Sequence, residues 1–149
     1  IDPLLDVAGV GAEDVVMDIG CGDGRLVVSA ASRFGCRAVG VEQSASLVDR
    51  ARHRVRTAQA ADLVRIDHAD ARSADLSEVT VLFLFLPIDV VEYLLADLLE
   101  RLPPGARLVV HEQHRLPTSI HPVPTESRAV IGSDAVTVAH RWIAGTPAS

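Results

Sequence analysis

Lysine is missing from this chain of 149 residues, and all 14 of its basic residues are arginine. Beside a composition rich in Ala and Val, that pattern points to a GC-rich bacterial coding bias rather than to chemistry special to arginine. Cysteine is scarce as well. Two residues, Cys21 in a glycine loop and Cys36 after the first helical segment, make no disulfide framework. No apolar run approaches the ~18–20 residues of a membrane span, the 79–87 stretch being far too short. No signal-peptide pattern is visible, although the chain opens on Ile1 rather than Met, which leaves room for an upstream segment. A formal net charge of −6 offers no basic footprint for DNA or RNA. No repeat, linker or low-complexity tract divides the chain. The expectation is a cytoplasmic enzyme of one domain spanning 1–149, with no membrane span and no nucleic-acid partner.

What is present centres on Val15-Val16-Met17-Asp18-Ile19-Gly20-Cys21-Gly22-Asp23-Gly24-Arg25. An apolar run holds one carboxylate, three glycines then alternate with other residues, and a helical pattern begins at once. This is how a buried strand feeds a tight turn that opens a helix, with glycines letting backbone N–H groups approach a ligand. The dinucleotide fingerprint wants G-x-G-x-x-G. Here the glycines fall at 20, 22 and 24, and Arg occupies position 25.

Beyond the loop, strands alternate with helices, which argues for a parallel sheet covered on both faces. Strands are expected at 15–19, 38–42, 63–67, 80–85 and 107–112, and helices at 25–34, from 45, and at 88–102. Ser44 is read as the cap of the second helix. Its face with Arg50, Arg52, Arg54 and Arg56 is read as solvated. Asp89 and Glu92 resemble a capping box for the third helix, which Pro103-Pro104-Gly105 stops. The 113–126 stretch reads as a loop. Strands at 128–131 and 135–143 then form a hairpin through Gly132-Ser133-Asp134.

In such sheets ligands bind at the carboxyl ends of the strands, where strand order reverses. Those ends carry Asp18, the 20–24 loop, Glu42, Asp70, Leu86-Pro87 and the His111–His114 stretch. A carboxylate at Glu42 can accept bonds from ribose hydroxyls. Asp70 taken alone is as well read as a solvated turn residue or a helix cap.

The G-x-G-x-G loop, with an acid two residues before its first glycine, resembles motif I of the class I S-adenosylmethionine (SAM)-dependent methyltransferases. The likeness runs from Val15 through the final hairpin. It implies a Rossmann-like α/β fold with a seven-stranded, mostly parallel sheet closed by an antiparallel hairpin, and SAM as cofactor. It further implies that Asp18 and the backbone of Gly20, Gly22 and Gly24 surround the methionine end, Glu42 the ribose, and Asp70 with Ala71 the adenine. Cys21, Gln43 and Leu86 complete the expected contacts. Gly22-Asp23-Gly24-Arg25, Gly40-Val41-Glu42 and the apolar fourth strand ending in Leu86-Pro87 resemble a narrower group. That group is the bacterial relatives of the mitochondrial lysine methyltransferases acting on the ATP-synthase c-subunit. The family usually has a longer N-terminal segment than the ten residues from Ile1 to Val10.

On the acceptor side, methyltransferases of planar amines often end the fourth strand with Asn/Asp-Pro-Pro-Tyr/Phe. Phe85-Leu86-Pro87-Ile88 has neither the polar side chain nor the aromatic platform, which disfavours nucleobase and glutamine acceptors. A protein lysine is the first expectation and a small metabolite the second. A non-catalytic SAM-binding module and a nicotinamide-dependent oxidoreductase stay open as alternatives. A cationic amine must lose a proton before it attacks, and His111 and Glu112 are the candidates to take it. His111-Glu112-Gln113-His114 lacks metal-ligand spacing, so no metal is expected. A strand end with satisfied polar residues is the plainer reading of His111 and His114. His68 is read as structural, His53, His121 and His140 as surface residues, and Trp142 as packing.

Overall fold

A computed structural model describes residues 1–112, 120–131 and 136–145. Seven strands form one sheet in the order β3-β2-β1-β4-β5-β7-β6. β1 (Val15–Ile19), β2 (Arg37–Glu42), β3 (Val64–His68), β4 (Val81–Leu84) and β5 (Arg107–Glu112) run parallel. β7 (Val136–Ile143) pairs antiparallel with both β5 and β6 (Glu126–Ile131), as the alternation and the final hairpin signal imply.

β1 lies at the centre because all five of its residues are apolar or bury their polar group. It pairs with β2 on one side and β4 on the other, so the strand order reverses there and a crevice opens beyond its carboxyl end. Alternation along the strands divides the core. Val16, Val81, Phe83 and Val109 face α1 (Asp2–Ala8), α2 (Arg25–Phe34) and α3 (Ala45–Thr57). Met17, Ile19, Leu82, Leu84, Leu108 and Val110 face α4 (Ile88–Arg101). α4 presents Val91, Leu94, Leu95 and Leu98, a helical stripe, and truncating one such fully buried leucine to Ala costs about 2–5 kcal/mol.

Several local expectations are corrected. Ahead of β1, Asp2–Ala8 form a helix that the sequence reading did not include. α1 starts with proline in its first turn, ends at Gly9 with φ 65°, and buries Leu4, Leu5 and Ala8. α4 begins after Pro87, so Asp89 is not its cap; it sits inside the first turn, where its charge suits the helix dipole. Ser44 does occupy the cap position of α3, but its hydroxyl meets Ser46 Oγ at 3.1 Å and caps no backbone group. His140 is buried rather than on the surface, its Nδ1 2.8 Å from Ser127 Oγ on the neighbouring strand. Trp142 packs as expected and donates its Nε1–H to the Pro122 carbonyl at 2.8 Å. β6 starts at Glu126, earlier than its apolar residues suggest. Gly132-Ser133-Asp134 and the 113–119 part of the preceding loop lie outside the described residues.

Candidate cofactor site

The turn after β1 carries three left-handed residues: Gly20, Gly22 and Gly24 have φ of 78°, 57° and 76°. Only glycine takes such angles without strain. Gly20 answers a close approach as well, because a Cβ there would stand 2.5 Å from Leu86 Cδ2. Nothing lies within 4 Å of the corresponding point at Gly22, so the loop presents open space there. Asp23 pins this loop to α3. Its carboxylate takes bonds from Arg25 Nε at 3.1 Å and Arg54 Nη2 at 2.7 Å, and its carbonyl takes Arg54 Nε at 3.0 Å. The bonds from Arg25, then those from Arg54, draw its pKa down to about 2 although partial burial opposes them. Arg54 therefore serves the loop and is more than a solvated residue.

Beside the loop opens a cleft of about 390 Å³. Among its walls are Gly20, Glu42, Gln43, Asp70, Ala71 and Leu86, so the structure brings six of the expected cofactor residues together. Asp18, Cys21, Gly22 and Gly24 are not among the walls. Asp18 is buried beneath the loop at 4% exposure. Cys21 turns inward, where a Cβ on Gly40 would stand 2.6 Å from its sulfur. Burial, with the charges of Asp18 and Glu42 behind it, pushes the Cys21 thiol up to about 12, so it is neither a nucleophile nor a redox group at neutral pH.

Two carboxylates share this floor and differ in their partners. Glu42 is satisfied by backbone. Oε2 accepts from Gly22 N–H at 3.1 Å, and Oε1 from Gln43 and Ser44 N–H, both at 2.9 Å. A carboxylate offers about four acceptor positions, so three bonds leave room for about one more on Oε2. Asp18 has the opposite environment: its Oδ1 is buried and meets no donor. Burial and the charge of Glu42 raise its pKa to about 8. Beneath the loop, a buried acid whose Oδ1 meets no donor, beside a second carboxylate, is a site short of positive charge.

Asp70 caps the short helical turn Ala71–Ser73, accepting from Arg72 N–H at 2.9 Å and Arg72 Nε at 3.2 Å. It is exposed and held by Arg72, so its carboxylate is turned to structure as well as to the cleft. His68 donates from Nε2 to the Gln43 carbonyl at 3.0 Å, tying the ends of β2 and β3 together. Sequence reasoning missed Arg72, Val90, Tyr93 and Leu94, which line the far wall. Val90, Tyr93 and Leu94 share one face of α4 at i, i+3, i+4 spacing, but only the packing of that helix brings the face to the cleft, and Arg72 lies in the turn after β3.

His111 and Glu112 end β5, and His111 is not among the walls of the cleft. The His111 ring stacks on Phe85 with centroids 5.4 Å apart, and its Nε2 lies 2.6 Å from Thr137 Oγ1. The backbone of Glu112 pairs with Val138. The Glu112 side chain, Gln113 and His114 lie outside the described residues.

A reversed strand order, a left-handed glycine turn and a buried acid on the second strand define a class I SAM-dependent methyltransferase. Comparison with known proteins gives the family: the chain belongs to the ANTKMT methyltransferase domain family, whose model matches residues 18–119. A protein-lysine N-methyltransferase of Saccharolobus islandicus is 36% identical over 110 residues, 73% of this chain and 68% of that protein. The crystal structure of an RNA methyltransferase from Salinibacter ruber with S-adenosyl-L-homocysteine superimposes with a TM-score of 0.83. It is 36% identical and covers 96% of this chain and 88% of that one. Geranyl diphosphate C-methyltransferase from Streptomyces coelicolor, also bound to S-adenosyl-L-homocysteine, is 29% identical with a TM-score of 0.63. That match covers 74% of this chain and 43% of the larger protein. SAM is the cofactor of the chain, and methyl transfer is its reaction.

Proposed function

We propose that the chain transfers the SAM methyl group to the side-chain amine of a protein lysine, and that the cleft beside Gly20 and Glu42 holds the cofactor. The observation that carries the acceptor is the 36% identity to a protein-lysine N-methyltransferase over most of both chains. Leu86-Pro87 supports it, because no polar side chain stands at the end of β4 to bind a planar amide or nucleobase amine. So does the net charge of −6, which attracts a cationic side chain and repels a polyanion.

Within the cleft, Glu42 Oε2 takes a ribose hydroxyl on the acceptor position left by Gly22. The backbone of Gly20, Gly22 and Gly24, with Cys21 between them, follows the methionine end. Asp18 faces that end from below. Asp70, Ala71, Gln43 and Leu86 enclose the base. Bound SAM supplies an activated methyl group on a cationic sulfonium. The positive charge suits the donor-poor carboxylate of Asp18, which has room in its pKa to ionise when a cation arrives. What the chain must then do is align the amine in line with that methyl group and keep water out. The whole reads as one domain over 1–149. The setting we propose is the bacterial cytoplasm, supported by two buried free cysteines and an arginine-only basic complement.

The Salinibacter ruber neighbour favours a second reading, an RNA acceptor. One experiment separates the two. Methyl-labelled SAM is incubated with the protein, a mixture of bacterial cell proteins and total RNA, and each fraction is recovered. Label in methyl-lysine supports the proposal; label confined to RNA overturns it in favour of the second reading.

A further inference from the structure

Aromatic residues are rare here, three Phe, one Tyr and one Trp. Phe83 and Trp142 are buried and Phe34 partly so. The two exposed ones are Phe85 at 56% and Tyr93 at 71%. Tyr93 belongs to the cofactor cleft. Phe85, the residue just past the end of β4, is not among that cleft's walls.

The ring is not alone. His111, on the neighbouring strand β5, stacks on it with an interplanar angle of 26°. The imidazole is half-buried and fixed through Nε2 by Thr137 Oγ1 on β7. The segment just past β4 and the strands β5 and β7 thus bring together an aromatic ring, an oriented imidazole and a hydroxyl. Burial holds the His111 pKa below its ordinary value of 6.5. Glu112 follows on β5, and its side chain is outside the described residues.

We infer that Phe85 and His111 form the acceptor mouth, the exposed Phe85 ring receiving the incoming ammonium while His111 takes the proton that the amine must shed. The ring face attracts a cation by its quadrupole. His111 is neutral at neutral pH and so has a lone pair to offer. A protein lysine arrives as R–NH3⁺, and one proton passes to His111. The freed nitrogen lone pair forms the N–C bond as the C–S bond breaks and its electrons stay on sulfur. S-adenosylhomocysteine and R–NH2–CH3⁺ result, and His111 returns its proton to water. This inference rests on the lysine reading above.

The test uses the full chain with poly-L-lysine and methyl-labelled SAM, read as a pH profile. His111→Gln should lower kcat/KM at pH 7 by roughly 10²-fold or more, within the range for a lost general base. The loss should shrink as pH rises and the amine deprotonates by itself, while S-adenosylhomocysteine affinity stays within twofold. Phe85→Leu should raise KM for the polymer and spare kcat. A second readout needs no turnover: n-butylammonium titrated into the S-adenosylhomocysteine complex should shift the ring resonances of Phe85 and His111. Wild type that labels lysine while His111→Gln keeps its pH profile overturns the inference alone. Wild type that labels no lysine overturns the lysine reading and the inference together. Butylammonium shifts confined to other rings place the mouth elsewhere and overturn it too.

Discussion

The two halves of the sheet's carboxyl edge are built differently. On the β1–β2–β3 side, backbone does most of the work: glycines at positive φ shape the turn, and Glu42 is held by three N–H groups. On the β4–β5–β7 side, single side chains meet, Phe85, His111 and Thr137. A donor shared by a whole family can be held by a fixed turn. An acceptor that differs from one enzyme to the next is better met by side chains that can be exchanged without disturbing the fold.

If that contrast is right, substitutions on the donor side should damage fold and cofactor binding together. Glu42→Ala is the severest. It removes one charged bond to the ribose, about 1.5–3 kcal/mol of SAM affinity, and also strips three N–H groups of their acceptor. Calorimetry should show that loss of affinity, and the ligand-free melting temperature should fall as well. SAM affinity within threefold of wild type would remove Glu42 from the site.

Asp18→Asn should do the reverse to the fold. A pKa of about 8 against an ordinary value of 3.8 means the folded state prefers the protonated acid. Its contribution is whole below the ordinary value and is lost as pH rises through about 8. The ligand-free variant should therefore gain stability over wild type on the order of 2–4 kcal/mol at pH 8 and above, and none at pH 4. SAM should bind the variant more weakly, since the carboxylate facing the cation is gone. Equal pH dependence of unfolding in both proteins would show that Asp18 is ionised throughout.

Asp70→Ala should have the smallest effect. The carboxylate is exposed and already held by Arg72, so cofactor affinity should change less than fivefold, with the Ala71–Ser73 turn loosened. A loss as large as that of Glu42→Ala would mean that Asp70 abandons Arg72 for the base.

The same contrast governs what could be read in the sequence. The β1 loop and Glu42 were legible because a short string dictates a local geometry: glycines at alternate positions make a left-handed turn whatever surrounds them. Tyr93 and Arg72 were not, because their place on the cleft depends on how α4 and the turn after β3 pack. α1 escaped notice because seven residues carry too little periodicity, though Pro3 and Gly9 mark both its ends. His140 was misjudged by residue type. It shares a strand face with Trp142 two positions on, and the two rings lie 6.4 Å apart, so the alternation that buries the Trp buries the His. Asp18 was expected beside the methionine end, but nothing in its string told that it would lack a donor.

The central claim, that the glycine turn and its two acids form a site for SAM and not for a dinucleotide, is tested most directly by a thermal melt. S-adenosylhomocysteine at ~100 times its dissociation constant should add about 2.7 kcal/mol, a rise of roughly 5–11 °C for a domain of this size, and NADH should leave the melt unchanged. A shift with NADH and none with S-adenosylhomocysteine would contradict the account.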